Sequence, residues 1–371
     1  MDLKLFFSPV DHDVCRGIDS PSDFYRNIDH YHDTFPEIGT FDIAIIGGVK
    51  NHADLVRTRL YRLKKSGRPY RIVDLGNLRY GVDHSQRLLI LQEVCVYLLR
   101  NNVLPLVIGG SHDMSLGQFR AYSDLRKLVT VVNVDAFIDL DTEEEVPANR
   151  GFIGKMFADV SGSLFHYSHL AYQAYLNDTE VISALQGFAF DMIRLGVMRE
   201  DLGEVEPVIR DADMMTFDLS SIRASDAPGT TNPQAFGLTG EEACKLCWYA
   251  GLNDKLSSVG FYEFDSDRDG DYHQTAQVVA TMVWYFVEGF YHRKREANFQ
   301  ESDYTKYSVT MPVSPSVLVF YKSHYSDKWW MEIPSGSDER GKIVPCAYSD
   351  YKTATEGEVP ERLLNVSVRF S

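Results

Sequence analysis

Short apolar runs, each closed by turn residues, recur through most of the chain and limit what it can fold into. They lie at 43–48 (IAIIGG), 71–76 (RIVDLG), 104–110 (LPLVIGG), 129–137 (VTVVNVDAF), 191–198 (DMIRLGVM), 214–220 (MMTFDLS) and 258–265 (SVGFYEFD). They are near-continuous in hydrophobicity, not alternating, which is the mark of strands buried on both faces. Helical patterns lie between them. Residues 84–102 carry apolar side chains at helical spacing, 238–252 opens on a capping box from Thr239 to Glu242, and 275–296 is amphipathic with a basic end. Strand and helix alternate for about 250 residues. This predicts an α/β fold with a mainly parallel central sheet flanked by helices.

Two regions fall outside the rhythm. Residues 1–40 are aromatic and polar without a clear period, and 297–371 hold strand-like pieces at 316–323 and 327–334 followed by a polar tail. With no repeat and no Pro/Gly-rich linker, the expectation is one domain over 1–371, with an N-terminal extension 1–40 and a β-rich C-terminal extension 297–371 packed onto it.

The net charge of −16 argues against a nucleic-acid surface, which needs a basic patch, and disfavours an anionic membrane surface. No h-region stands in the N-terminal MDLKLFFSPVDHD, and no window reaches the ~20 apolar residues of a membrane span. The five cysteines are odd in number and scattered, which fits a reducing cytoplasm. Cys244 and Cys247 form a C-x-x-C inside a predicted helix with no second pair, and packing on one helix face is their expected role.

In open parallel sheets, ligands bind beyond the carboxyl ends of the strands. Four predicted strands deposit acids or imidazoles there: His112 and Asp113, then Asp135 and Asp139, then Asp218, then Glu263 and Asp265. Any one of these could simply cap a turn or a helix. Gathered together, Asp135, Asp139 and Asp218 would raise each other's pKa unless a cation lay between them. One nitrogen with several oxygens suits Mn²⁺ better than thiolate-seeking zinc.

At these residues the chain resembles the ureohydrolases, the family of arginase, agmatinase and formimidoylglutamase within the arginase/deacetylase fold. GGSHDMS (109–115), DAFID (135–139) and TFDLSSIRASDAPGT (216–230) match, in order, the family's G-G-[DS]-H, D-A-H-x-D and S-x-D-x-D-x-x-D-P-x-x-A-P-G segments. The resemblance covers 41–296 and implies a three-layer α/β/α architecture. It also implies hydrolysis of a linear C–N bond in a small cationic guanidino or formimino molecule, and relatives that are often trimers or hexamers. Glu263 would meet the cationic group of the substrate, and Asp113 could assist.

Two of six family ligand positions depart. Phe137 stands where the family has histidine, and Ser220 where it has a second aspartate. The resemblance implies that both belong to the same one of two Mn²⁺ ions. The remaining four, His112, Asp135, Asp139 and Asp218, would be the complete protein set of the other. The loop 141–159 also lacks the family's proton-shuttling histidine. Asn149 and Arg150 in it could touch a ligand carboxylate, while His166 and His169, in an aromatic context, are expected to be packing or surface residues. Two readings stand. One is a hydrolase running on one Mn²⁺. The other is a non-catalytic binding or scaffold relative, with one structural ion or none.

Overall fold

The computed structural model describes residues 2–79, 83–140, 148–159, 162–296, 298–312, 317–333 and 341–370. The polypeptide builds two sheets. The larger contains β1 (Phe7–Ser8), β2 (Asp29–His30), β3 (Ile43–Gly47), β4 (Ile72–Leu78), β5 (Leu104–Ile108), β6 (Val129–Val134), β7 (Leu164–Tyr172), β8 (Asp191–Arg194), β9 (Met214–Asp218) and β10 (Ser258–Tyr262). Its order is β1-β4-β3-β5-β10-β9-β6-β7-β8, with β2 also on β4. Every pairing from β4 across to β8 is parallel, and only β1 runs antiparallel, against β4.

The apolar runs form strands because both faces are covered. All residues of β3, β4, β5, β6, β9 and β10 are buried. Successive side chains enter opposite cores: Ile43 and Ile45 join one, Ala44 and Ile46 the other. The helices Lys50–Leu60, Gly240–Leu252 and Gln274–Tyr291 fill the first core, and His84–Arg100, Ser115–Asp124 and Phe152–Phe157 the second. The result is the expected three-layer α/β/α arrangement. Each fully buried Ile or Phe in these layers contributes about 2 kcal/mol.

Several expectations need correction. The run 191–198 is strand only to Arg194, and Leu195–Glu200 turns into a helix. The sequence reading had no strand at β7, which holds His166 and His169. The helix expected over 275–296 ends at Tyr291, so its basic segment lies beyond it. The described part of the polar tail is regular: strand Lys342–Cys346 is followed by helices Tyr348–Thr355 and Glu361–Arg369. The capping box of Thr239 and Glu242 is present, and Cys244 and Cys247 are free, buried thiols on that helix.

Neither terminal region stands apart. β1 and β2 pair with β4. The second sheet, antiparallel β11 (Tyr304–Thr310), β12 (Val317–Ser323), β13 (Trp329–Ile333) and β14 (Lys342–Cys346), is pinned by Arg210. Its buried guanidinium donates from Nη2 to the carbonyls of Trp329 and Cys346, both at 3.0 Å, and stacks 4.2 Å from the Trp330 ring.

Candidate metal centre

The parallel sheet aims the ends of β5, β10, β9 and β6 at one place, because these four strands are neighbours in that order. After β5 the chain turns on Gly109 and Gly110, with φ of +82° and +97°. A Cβ on Gly110 would come within 2.4 Å of the Met114 sulfur, so only glycine permits this turn, which carries His112 inward. Asp218 is the last residue of β9. Asp135 follows β6 directly, and Asp139 comes in from the turn beyond it.

The four predicted ligand residues converge. One ligand atom from each of His112, Asp135, Asp139 and Asp218 lies within 4.8 Å of the others, and all four residues are buried. His112 Nδ1 is 3.1 Å from Asp135 Oδ2, 3.1 Å from Asp218 Oδ2 and 3.8 Å from Asp139 Oδ2. Despite these distances, His112 Nδ1 and Asp135 Oδ2 have no hydrogen-bond partner. Unsatisfied atoms of this kind are costly in a protein interior. Electrostatics points the same way. Burial and the neighbouring Asp135 charge push the carboxyls of Asp139 and Asp218 up from the ordinary range. Burial alone would depress the His112 imidazole, but the Asp135 and Asp218 carboxylates outweigh it and hold it well above its usual value.

The surroundings fix these atoms in place. His112 Nε2 lies 2.8 Å from Thr216 Oγ1, which leaves Nδ1 facing the carboxylates. His169 is fully buried, and burial lowers its pKa to about 3. Its neutral ring contacts the Asp135 carbonyl through Nε2 at 3.2 Å and the Tyr167 hydroxyl through Nδ1 at 2.9 Å. A carbonyl can only accept, so Nε2 carries the proton and Tyr167 donates to Nδ1. His166 contacts Asp191 at 3.0 Å. Both histidines are therefore packing residues of β7.

The two departed positions are also visible. The Phe137 backbone N–H donates to Asp135 Oδ1 at 3.0 Å, and Ser220 Oγ donates to the same oxygen at 3.1 Å. The Ser220 N–H caps Asp218 Oδ1 at 2.6 Å. Protein donors thus occupy the outer oxygens of both aspartates, and the inner oxygens face His112. The Phe137 ring has the Arg150 guanidinium 5.9 Å from its centroid.

Glu263 and Asp113 lie beside the cluster, not in it. Glu263 follows β10 with φ of +64°, a left-handed conformation that glutamate adopts at a cost. Its Oε1 accepts from the His112 backbone N–H at 2.7 Å and from Asn149 Nδ2 at 3.1 Å, and Oε2 accepts from the Thr231 hydroxyl. Asp113 accepts from Ser111 Oγ at 2.7 Å and bonds to His84 Nε2. Asp265 pairs outward with Arg268 at 3.0 Å. Thr216, Thr231 and His84 were not singled out in the sequence. Thr216 was within reach, since it sits two residues before Asp218 and so shares its face of the strand.

One imidazole nitrogen and three carboxylate oxygens, with two of the four atoms lacking any hydrogen bond, fit a single hard divalent cation. Among the described residues no other group of this kind occurs.

Comparison with known proteins agrees with this architecture. The family model described as the arginase family matches residues 47–288. The formimidoylglutamase of Staphylococcus haemolyticus is 23% identical over 277 residues, which is 67% of this chain and 85% of that one. That of Corynebacterium efficiens is 26% identical over 223 residues, 58% of this chain and 70% of the other. The crystal structure of Trypanosoma cruzi formiminoglutamase with Mn²⁺ superposes with a TM-score of 0.63 at 22% identity, covering 69% of this chain and 96% of that chain. Formimidoylglutamase from Bacillus subtilis superposes with a TM-score of 0.64 at 17% identity, covering 76% and 94%. The family match spans well over half of the chain and includes all four converging residues, and the chain belongs to the arginase family.

Proposed function

We propose that this protein is a formimidoylglutamase-like hydrolase that cleaves a linear C–N bond in a small formimino or guanidino substrate and works with one divalent cation where its relatives use two. The observation that carries this reading is the convergence of His112, Asp135, Asp139 and Asp218 on one point, with His112 Nδ1 and Asp135 Oδ2 left without hydrogen bonds. These four residues would hold the ion, and Mn²⁺ is the candidate because the Trypanosoma cruzi relative was crystallised with it. Bound there, such an ion would lower the pKa of water and so supply a nucleophile near neutral pH.

The chain's own groups do the rest. Thr216 holds the His112 ring in one orientation through Nε2. Glu263 ties the backbone of His112 to the loop bearing Asn149, and its buried negative charge is our candidate for meeting the cationic end of the substrate. Asp113 is our candidate for handling a proton through His84 Nε2, the imidazole that it binds. Asn149 and Arg150 border the same loop, and Arg150 beside Phe137 would face a substrate carboxylate.

A second reading rests on a specific observation. Phe137 supplies only a backbone N–H, and the Ser220 hydroxyl is spent on Asp135, so the two-ion arrangement is replaced by protein hydrogen bonds. On that reading the chain binds one ion and catalyses nothing. The two readings part in one experiment. Protein purified in Mn²⁺ is analysed for metal and then assayed for formamide or urea release from N-formiminoglutamate, guanidinobutyrate, agmatine and arginine. About one ion per chain with formamide release is expected. One ion without turnover on any of the four would favour the non-catalytic reading, and two ions would contradict the single-site assignment.

A further inference from the structure

The chain carries far more acid than base, yet at the other end of the sheet three arginines collect without carboxylate partners. They line an open cleft of about 520 Å³ formed by Arg68, Arg293, Arg295 and Asn298 together with Asp42 and Asp254. Asp42 immediately precedes β3, Arg68 lies four residues before β4, and Asp254 lies four before β10. The cleft therefore sits at the amino ends of the parallel strands, and His112, Asp135 and Asp218 sit at their carboxyl ends. The two places are separate.

The arginines are poorly neutralised. Among the described residues, none of the three has a carboxylate within ion-pair distance. Asp42 is engaged by Arg71 at 3.4 Å, and Asp254 Oδ2 accepts the backbone N–H of Glu296 at 2.5 Å. Arg293 is held rigidly: Nε donates to the Gly251 carbonyl at 2.9 Å, Nη2 to the Leu256 carbonyl at 3.1 Å, and its guanidinium stacks 4.0 Å from the Phe290 ring. Its remaining nitrogen, Nη1, makes no hydrogen bond among the described residues. Burial lowers its pKa to about 10, against a smaller opposing effect of the Asp254 and Asp42 charges. Arg68 is anchored by one bond from Nη1 to the Tyr291 carbonyl at 2.6 Å. Arg295 sits at φ +60°, in the left-handed region that non-glycine residues seldom adopt. Guanidinium groups collected in this way, with Arg293 held in place, are suited to oxygen anions, which they bind through paired N–H donors.

We propose that this cleft is a second ligand site, for a compact anion carrying at least two negative charges on phosphoryl or carboxylate oxygens. Three arginines against two already engaged aspartates leave the cleft positive in a chain of net charge −16. The cleft, about 520 Å³, admits a small molecule, so the fit is to a metabolite-sized anion. This inference does not depend on the hydrolase reading.

The test is titration calorimetry on the full chain after dialysis against a chelator, so that no divalent cation bridges the anion to the acidic end. Pyrophosphate and citrate are the probes, one for each source of oxygens. Saturable binding of either at about one per chain is expected. It should weaken as salt is added and by roughly tenfold in each of Arg68→Gln and Arg295→Gln, since each removes one charge-assisted contact with the anion. Both side chains are exposed and can be replaced without disturbing the core. Arg194→Gln, at the far edge of the sheet, should bind as the parent does. Preference for pyrophosphate would identify phosphoryl chemistry, and preference for citrate carboxylate chemistry. No saturable binding of either probe, or equal binding by the parent and both cleft variants, would overturn the proposal.

Discussion

Two buried acid sites on one sheet, Asp191 and the pair Asp139 and Asp218, behave in opposite ways. At the amino ends, Asp191 of β8 meets His166 and Arg369. Burial pushes its carboxyl up, but these cations outweigh it and hold its pKa at about 2. At the carboxyl ends, Asp139 and Asp218 have comparable burial and only His112 for company, and their pKa values rise. Burial is common to both ends, so the sign is decided by the number of positive charges in reach. At Asp191 the compensating charge comes from the protein's own side chains. The carboxyl end is complete only with a charge that comes from outside the chain.

That contrast can be broken most directly at the acidic end. Asp218→Asn should lower Mn²⁺ affinity by about a thousandfold, measured by titration under manganese resonance detection, because one of three anionic ligands is gone. Unchanged affinity would place the ion elsewhere. The next effect is in stoichiometry. Phe137→His combined with Ser220→Asp should take metal content from about one ion per chain to about two. A value that stays at one would mean that the surrounding packing has closed the second position as well. Smaller again, Thr216→Val should cost roughly 10–100-fold in metal affinity and, by leaving His112 Nε2 buried without a partner, should destabilise the metal-free protein by about 1–3 kcal/mol.

The smallest effect belongs to Asp191. The folded pKa of Asp191 lies below its ordinary value of 3.8. Its contribution is therefore complete above about pH 4 and is lost as pH falls toward 2. Arg369→Gln should destabilise the protein by about 1–2 kcal/mol at pH 7 in urea unfolding, and the difference from the parent should vanish near pH 2. A pH-independent difference would show that Arg369 acts by packing and not by charge.

How much of this was legible in the sequence follows the same physics. Strands buried on both faces announce themselves, so β3, β5, β6, β9 and β10 were located with ends misjudged by a few residues. β7 was not, because His166, Ser168 and His169 interrupt its apolar run. Their polar atoms are satisfied by Asp191 and by the Asp135 carbonyl, partners that only the folded register supplies. The run at 191–198 misled because its apolar residues serve first a short edge strand and then a helix. In the same way, the convergence of His112, Asp135, Asp139 and Asp218 could be read from strand ends, since topology alone brings those together. The roles of Thr216, Thr231 and His84 could not, because each depends on which hydroxyl or imidazole the register sets beside which acid. The helices after Cys346 were hidden by their polarity; each buries only a narrow stripe.

The order of the strands has a consequence for a shortened chain. β10 lies between β5, which leads to His112, and β9, which ends in Asp218. The pairing of β6 with β9 sets Asp135 and Asp139 beside Asp218, but His112 reaches them only through β10, although the last of the four converging residues is 218. A chain cut short before β10 would carry all four residues and lack the strand that sets the imidazole beside the acids.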